Sequence, residues 1–433
     1  MKLDGFPAGA EPSAAAGRAA AEPSPARRGY VLALLTLVYA VSSMDRQIMA
    51  VLAEPIRRDL ALSDSEYGLL AGFLFAAFYT VSGIPLAWLA DRANRVKVIA
   101  AACALWSLFA GAFGLAQNFV HMAAARAGLA IGEAGSSPAS YSILSDIFPP
   151  ASRGRAVGVF SLGVPIGTAV AIGGAAWIAN AYGWRAAFLA GAVPGLVLVL
   201  LLLFTVAEPP RDALPMTPSV PLRESLRSYF GNPPLALLTA AASTSIVAGY
   251  GVMMWAPAFL MRSGGMSLAQ LGSVFAIGSG LALGAGMYGS GWLADRIASR
   301  GNVWRMALLP AASQVLAAAA LAIALLSGRW ELSIWPMLVA LTLIASYFPP
   351  TMTLVQHSVP ADRRAVAAAI LLFCVGLFGS GGGPLLIGWM SDSMHAYGPD
   401  ISLRIGMASV IPFFLLSSLF YRIAAQTGAR SAR

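Results

Sequence analysis

Charge is what this chain lacks. Only 11% of its 433 residues are Asp, Glu, Lys or Arg, against roughly 25% in a soluble domain. So little charge cannot cover a water-facing surface. Cysteine is also scarce: Cys103 and Cys374 both fall in apolar stretches, which excludes a disulfide framework and leaves them as small apolar residues. The histidines, His121, His357 and His395, have no ligand spacing to another His, Cys or acid, so no metal site is expected. No Walker-type phosphate loop, nucleophile elbow or HExxH motif occurs, which argues against ATP-driven work, an enzyme, or any bound cofactor.

What the chain has in abundance is apolar length. With 58% hydrophobic residues, stretches of the roughly 20 residues needed to span a bilayer recur throughout. They place membrane helices near 29–53, 64–90, 96–117, 119–146, 155–180, 184–206, 235–262, 267–293, 303–327, 332–357, 364–391 and 402–423. The fold class is therefore an all-α membrane protein with twelve transmembrane helices. The short alternating segments of a β-barrel are missing.

The net charge of +9 invites a nucleic-acid reading, and its distribution rejects it. With the N-terminus inside, only Arg57, Arg58, Arg185, Arg262, Arg329 and Arg404 fall outside, and Arg46 and Arg126 fall within spans. Every other Lys and Arg falls on the inner side, which puts both termini in the cytoplasm of a multi-pass inner (plasma) membrane protein. Residues 1–28, rich in Ala, Pro and Gly, read as a disordered tail without the pattern of a signal peptide.

A Pro-rich polar break at 207–234 divides the chain into six-helix bundles at 29–206 and 235–424, with a short tail at 425–433. The break reads as a cytoplasmic linker with a short helix on the inner membrane face. The two parts repeat each other. LADRANR at 89–95 matches LADRIASR at 293–300, and PPASRGRAVGV at 149–159 matches VPADRRAVAAA at 359–369. Each of the latter runs into a Gly-rich helix. A tandem duplication of this kind encloses a central cavity between pseudo-symmetric bundles.

Ionisable residues at membrane depth cost about 2.5–3.5 kcal/mol each on insertion scales and are functional by default. Here they are Asp45 and Arg46 in the first span and Arg126 and Glu133 in the fourth. Arg126 and Glu133, seven residues apart, share a helix face but sit ~10.5 Å apart along it, so each needs a partner elsewhere. Asp45 and Arg46 point roughly 100° apart, one toward a cavity and one toward a neighbouring helix. The expected pairing is Glu133 with Arg46 and Asp45 with Arg126, the acids serving proton coupling and the arginines pairing with them or with a substrate headgroup. A permanent salt bridge between two helices is the plain alternative. The second half carries no ion at this depth. Its cavity candidates are Tyr250, Met253, Met254, Trp255, Phe275, Tyr347, Phe348, Thr351 and Phe373, joined by Tyr79 from the first half. Flexible Met and large aromatics suit a hydrophobic ligand, and a charged half facing an apolar half suits an amphipathic one.

Asp91, Arg92 and Arg95 match the Asp-Arg signature between the second and third helices of the major facilitator superfamily, although Ala87 and Asn94 stand at its usual Gly positions. Gly291, Asp295 and Arg296 match it in the second half. The chain resembles that superfamily over nearly its full length. MDR at 44–46, RAGLAIGEAG at 126–135 and SYSILSDIF at 140–148 resemble the spinster lipid transporters within it. The resemblance implies a monomeric, proton-coupled carrier of lysophospholipids or sphingoid phosphates, surrounded by membrane lipid. It also implies that Asp91, Arg92, Arg95, Asp295 and Arg296, with Arg153 and Arg363, gate the inner side. A proton-coupled sugar-acid transporter and a polyspecific drug/proton exporter are the competing readings.

Overall fold

The computed structural model describes residues 24–209, 222–299, 301, 303–360 and 363–431. Among them there is no strand. Eleven helices are long and apolar enough to cross a membrane. In chain order they are α1 (Pro25–Val51), α2 (Asp64–Ala90), α3 (Arg95–Phe113), α5 (Arg155–Tyr182), α6 (Trp184–Thr205), α7 (Pro233–Arg262), α8 (Leu268–Ala298), α9 (Val303–Leu326), α10 (Trp330–His357), α11 (Val366–Ser393) and α12 (Pro399–Arg430). The remaining expected span, α4, is broken at Gly135 into Phe119–Ala134 and Ser136–Ile147. Neither piece alone spans a bilayer.

Helix ends follow local chemistry. Ser24 caps α1, which begins inside the expected tail; residues 1–23 of that tail lie outside the described residues. Asn94 and Asn118 cap α3 and α4 through their side-chain oxygens. The expected tail at 425–433 is instead helical as far as Ser431. The linker contributes the short helix Leu222–Phe230, while 210–221 lie outside the described residues.

The packing repeats with an offset of six. α1 packs on α5 and α7 on α11; α3 packs on α6 and α9 on α12; α2 packs on α4 and α8 on α10. The Gly-rich stretches explain the first of these correspondences. A Cβ on Gly167 of α5 would lie 2.1 Å from the Ala40 carbonyl oxygen of α1, and one on Gly383 of α11 would lie 2.0 Å from the Val247 oxygen of α7. Only glycine permits such backbone contact. The two halves then meet through α2 against α11, α5 against α8, and α1 against α7.

One further repeat sits in the sequence of α2 and α8. Each starts with a capping box, Ser63 with Glu66 and Ser267 with Gln270. Each then passes through a π turn, Leu69–Phe73 and Leu271–Phe275. Gly68 in α2 lies against the Pro384 carbonyl of α11, and Gly272 in α8 against Ala176 of α5. These contacts close one end of the molecule, opposite the end carrying the linker. We call it the far side.

Candidate functional site

The first expected ion pair forms. Arg46 of α1 donates from Nη1 to Glu133 Oε2 of α4. Glu133 is 1% exposed, whereas the Arg46 side chain is 22% exposed. The acid is thus held from inside the bundle and the arginine faces the space between the halves. The other Glu133 oxygen, Oε1, is buried without a hydrogen-bond partner. The break at Gly135 lies two residues beyond the acid.

The second expected pair does not form. Arg126 is fully buried and donates to two backbone oxygens of α2, Nε to Leu70 at 2.9 Å and Nη2 to Ala71 at 3.1 Å. These carbonyls belong to the π turn, where the regular helical ladder is opened. Asp45 is buried, its Oδ2 has no hydrogen-bond partner, and it lies within electrostatic reach of Glu133, Arg46 and Arg126 without bonding any of them. The two neighbours on α1 thus differ in exposure, Asp45 being buried and Arg46 partly open, as their roughly 100° separation allows.

Phe75, which sequence reasoning missed, joins the arginines. Its ring lies 5.4 Å from the Arg46 guanidinium carbon and 4.7 Å from that of Arg126. Such contacts contribute about 2 kcal/mol each when desolvated. Tyr79 stacks on Phe75 at 5.4 Å. Tyr39, Tyr79 and, from the second half, Tyr250 all lie within electrostatic reach of Arg46. Arg126→Lys should lose one of the two carbonyl bonds and the flat stacking face, because an ammonium is a point donor. The expected cost is about 1.5–3 kcal/mol, read as a lower denaturation midpoint; an unchanged midpoint would argue that only the charge matters.

Of the other cavity candidates, Tyr250, Met253 and Phe348 are half-buried and Phe373 is exposed. The rest are corrected by the structure. Met254 is wholly buried, and Phe275 and Tyr347 are nearly so. Thr351 is spent on Tyr421, at 2.7 Å between hydroxyls. Trp255 donates its indole N–H to the Pro384 oxygen at 3.0 Å and packs edge-on against Tyr67 of α2. It belongs to the far-side closure. Rotation about the helix axis is set by packing rather than by residue type, and so was hidden in the sequence.

A second ionic cluster, also missed, lies on that far side. Arg262, at the end of α7, bonds Glu54 of the short helix Ala53–Leu60 and Asp64 at the start of α2. Its contacts include Nε to Glu54 at 2.8 Å and Nη1 to Asp64 at 2.8 Å. All three side chains are at most 6% exposed. Ser391 of α11 donates to Asp64 at 2.6 Å, and the Asp392 carboxylate accepts from the backbone N–H groups of Asp64 and Ser65. Among the described residues, the halves are thus cross-linked by ions on this side only.

The profile of the Major Facilitator Superfamily matches residues 35–384. The chain belongs to the Major Facilitator Superfamily. It is 32% identical over 373 residues to an MFS-type efflux pump of Mycolicibacterium smegmatis, covering 86% of each chain. It is 26% identical over 407 residues to human protein spinster homolog 1, covering 87% of this chain and 75% of that one. A crystal structure of a bacterial homolog of the human lysosomal transporter Spinster, inward-facing and unoccupied, superposes with a TM-score of 0.84 at 29% identity, over 94% of this chain and 98% of that one. This multi-pass membrane protein is thus a superfamily transporter that resembles spinster.

Against the superfamily's Asp-Arg loops, the linker side shows no ionic bridge between halves among the described residues. Arg95 bonds Asp146 and Glu208 within its own half. Arg92 and Arg296 stack on Trp88 and Trp292 of their own helices, at 4.1 and 4.8 Å. Arg153 donates to the Ser145 oxygen, and Arg363 reaches Ser228 of the linker helix at 3.5 Å. Asp295 is exposed, and the side chain of Asp91 lies outside the described residues. Among the described residues, the expected inner gate thus makes no ionic contact between the halves.

Proposed function

We propose that the chain is a proton-coupled secondary active transporter of amphipathic lipids, of the lysophospholipid or sphingoid-phosphate kind, working by alternating access in the bacterial inner membrane. The observation that carries this reading is the asymmetric site: Arg46, paired with buried Glu133 in the first half, faces Tyr250 and Met253 of a second half that brings no ion. Protonation of Glu133 would release Arg46, whose forked guanidinium suits a phosphate. The apolar second half would hold the tail. With both termini cytoplasmic, the ion-locked far side is the outer side and the arrangement is inward-facing. Transport then consists of the bundles 29–206 and 235–424 rocking about the site, with Asp91, Arg92, Arg95, Asp295, Arg296, Arg153 and Arg363 engaging when the inner side closes. The spinster relatives support the lipid class. The efflux-pump relative favours the second reading, a polyspecific drug/proton exporter, which the same Met and aromatic residues would serve.

A series of lysolipids differing only in chain length separates these readings. Each buried CH₂ contributes up to about 0.8 kcal/mol, so affinity should rise by roughly fourfold per carbon at most until the cavity fills. Equal affinity along the series, or tighter binding of a short sugar acid, would move the assignment away from lipid. Equally tight binding of unrelated organic cations would move it to the exporter.

A further inference from the structure

At the linker end of the first half, α3 and α6 meet over a carboxylate. Glu208, just beyond α6, accepts from Arg95 Nε at 2.7 Å and from the Val96 backbone N–H at 3.0 Å. The repeat places α9 against α12 at the corresponding corner of the second half. Here the chemistry changes. A cavity of about 330 Å³ opens between them, lined by Arg305, Leu308, Arg422, Ala425, Gln426 and Ala429. Among the described residues its lining has two arginines and no acid. Among the described residues neither Arg305 nor Arg422 has a carboxylate partner. Both are exposed, and so is Leu308 beside them, at 47%. Two like charges lining one small cavity repel each other, and an anion between them would turn that repulsion into attraction.

We infer that this corner binds the phosphate of an anionic membrane phospholipid. The position selects a lipid over a soluble anion. The cavity sits where two spanning helices reach their linker ends, the depth of a lipid headgroup. The exposed side chains of Leu308, Leu415 and Leu419 give α9 and α12 an apolar outer surface on which acyl chains can lie. Gln426 adds a neutral donor for the glycerol or headgroup oxygens. α9 and α12 pack on each other and within the second half, away from Arg46 and Glu133. The site is therefore separate from the transport path and independent of what is carried.

Native mass spectrometry of the purified full chain, titrated with phosphatidylglycerol and with phosphatidylcholine, tests the assignment. Wild type should hold phosphatidylglycerol about tenfold more tightly. Arg305→Gln with Arg422→Gln should abolish that preference. Neither arginine balances a buried acid, so the double variant should fold, which its elution as a monodisperse species checks. Leu308→Trp keeps both charges but fills the cavity, and should weaken phosphatidylglycerol binding as well. An undiminished preference in either variant would overturn the site. Displacement of the lipid by inorganic phosphate would overturn the lipid assignment in favour of a free-anion site.

Discussion

Glu133→Gln should abolish uptake driven by a pH gradient while leaving exchange of substrate across the membrane intact. The carboxamide fills the same space and still offers an oxygen to Arg46, but it cannot carry or release a proton. Arg46 would lose its one described carboxylate partner and become available to a headgroup at all pH values. Proteoliposomes made with the variant should show at least about tenfold less gradient-driven uptake, equivalent to ~1.4 kcal/mol of lost coupling, with counterflow near wild type. Binding of an anionic lysolipid should tighten, since a charge-assisted hydrogen bond contributes about 1.5–3 kcal/mol. Should the pH profile survive unchanged, the Arg46–Glu133 pair is a fixed cross-link between α1 and α4 and the proton enters elsewhere, with Asp45 the next candidate.

Arg262→Leu should push the molecule toward the form open on the far side. The substitution leaves Glu54 and Asp64 buried with Arg57, 2.7 Å from Asp64 and 3.5 Å from Glu54, and the exposed Arg58 as their remaining cations. Removing one partner of a buried pair costs about 3–5 kcal/mol, and here the cost falls on the closed form alone, because opening hydrates both acids. The ratio of open to closed should therefore rise by roughly two to four orders of magnitude, toward the lower end because Arg57 remains beside Asp64. Spin labels at the exposed Tyr182 of the first half and Tyr397 of the second would report it as a longer distance. Identical distance distributions in wild type and variant would show that α2–α11 and α5–α8 packing alone holds the far side shut.

How much of this could be read beforehand depended on the kind of signal. Hydropathy located the spans, since length and apolarity are summed over many residues. The Arg46–Glu133 pair was legible because each charge was isolated at membrane depth and needed a partner. The partner of Arg126 was not legible, because it is backbone: a π turn at Leu69–Phe73 has no acid to betray it. The far-side cluster stayed hidden for another reason. Glu54, Asp64 and Arg262 lie at helix ends, where charge is ordinary, and their meeting depends on how two halves dock. The capping boxes Ser63–Glu66 and Ser267–Gln270 were visible at matching places and would have extended the repeat.

The cap that Asp392 places on α2 crosses from one half to the other. Its carboxylate holds the amide protons of Asp64 and Ser65, at 3.0 and 2.7 Å, and those amides have no carbonyl of their own because they begin a helix. Each time the far side parts, both are handed to water. Their deuterium uptake is thus a natural counter of opening events, present in the unlabelled protein. Two adjacent backbone positions, followed over time with and without substrate, would record how often the far side opens.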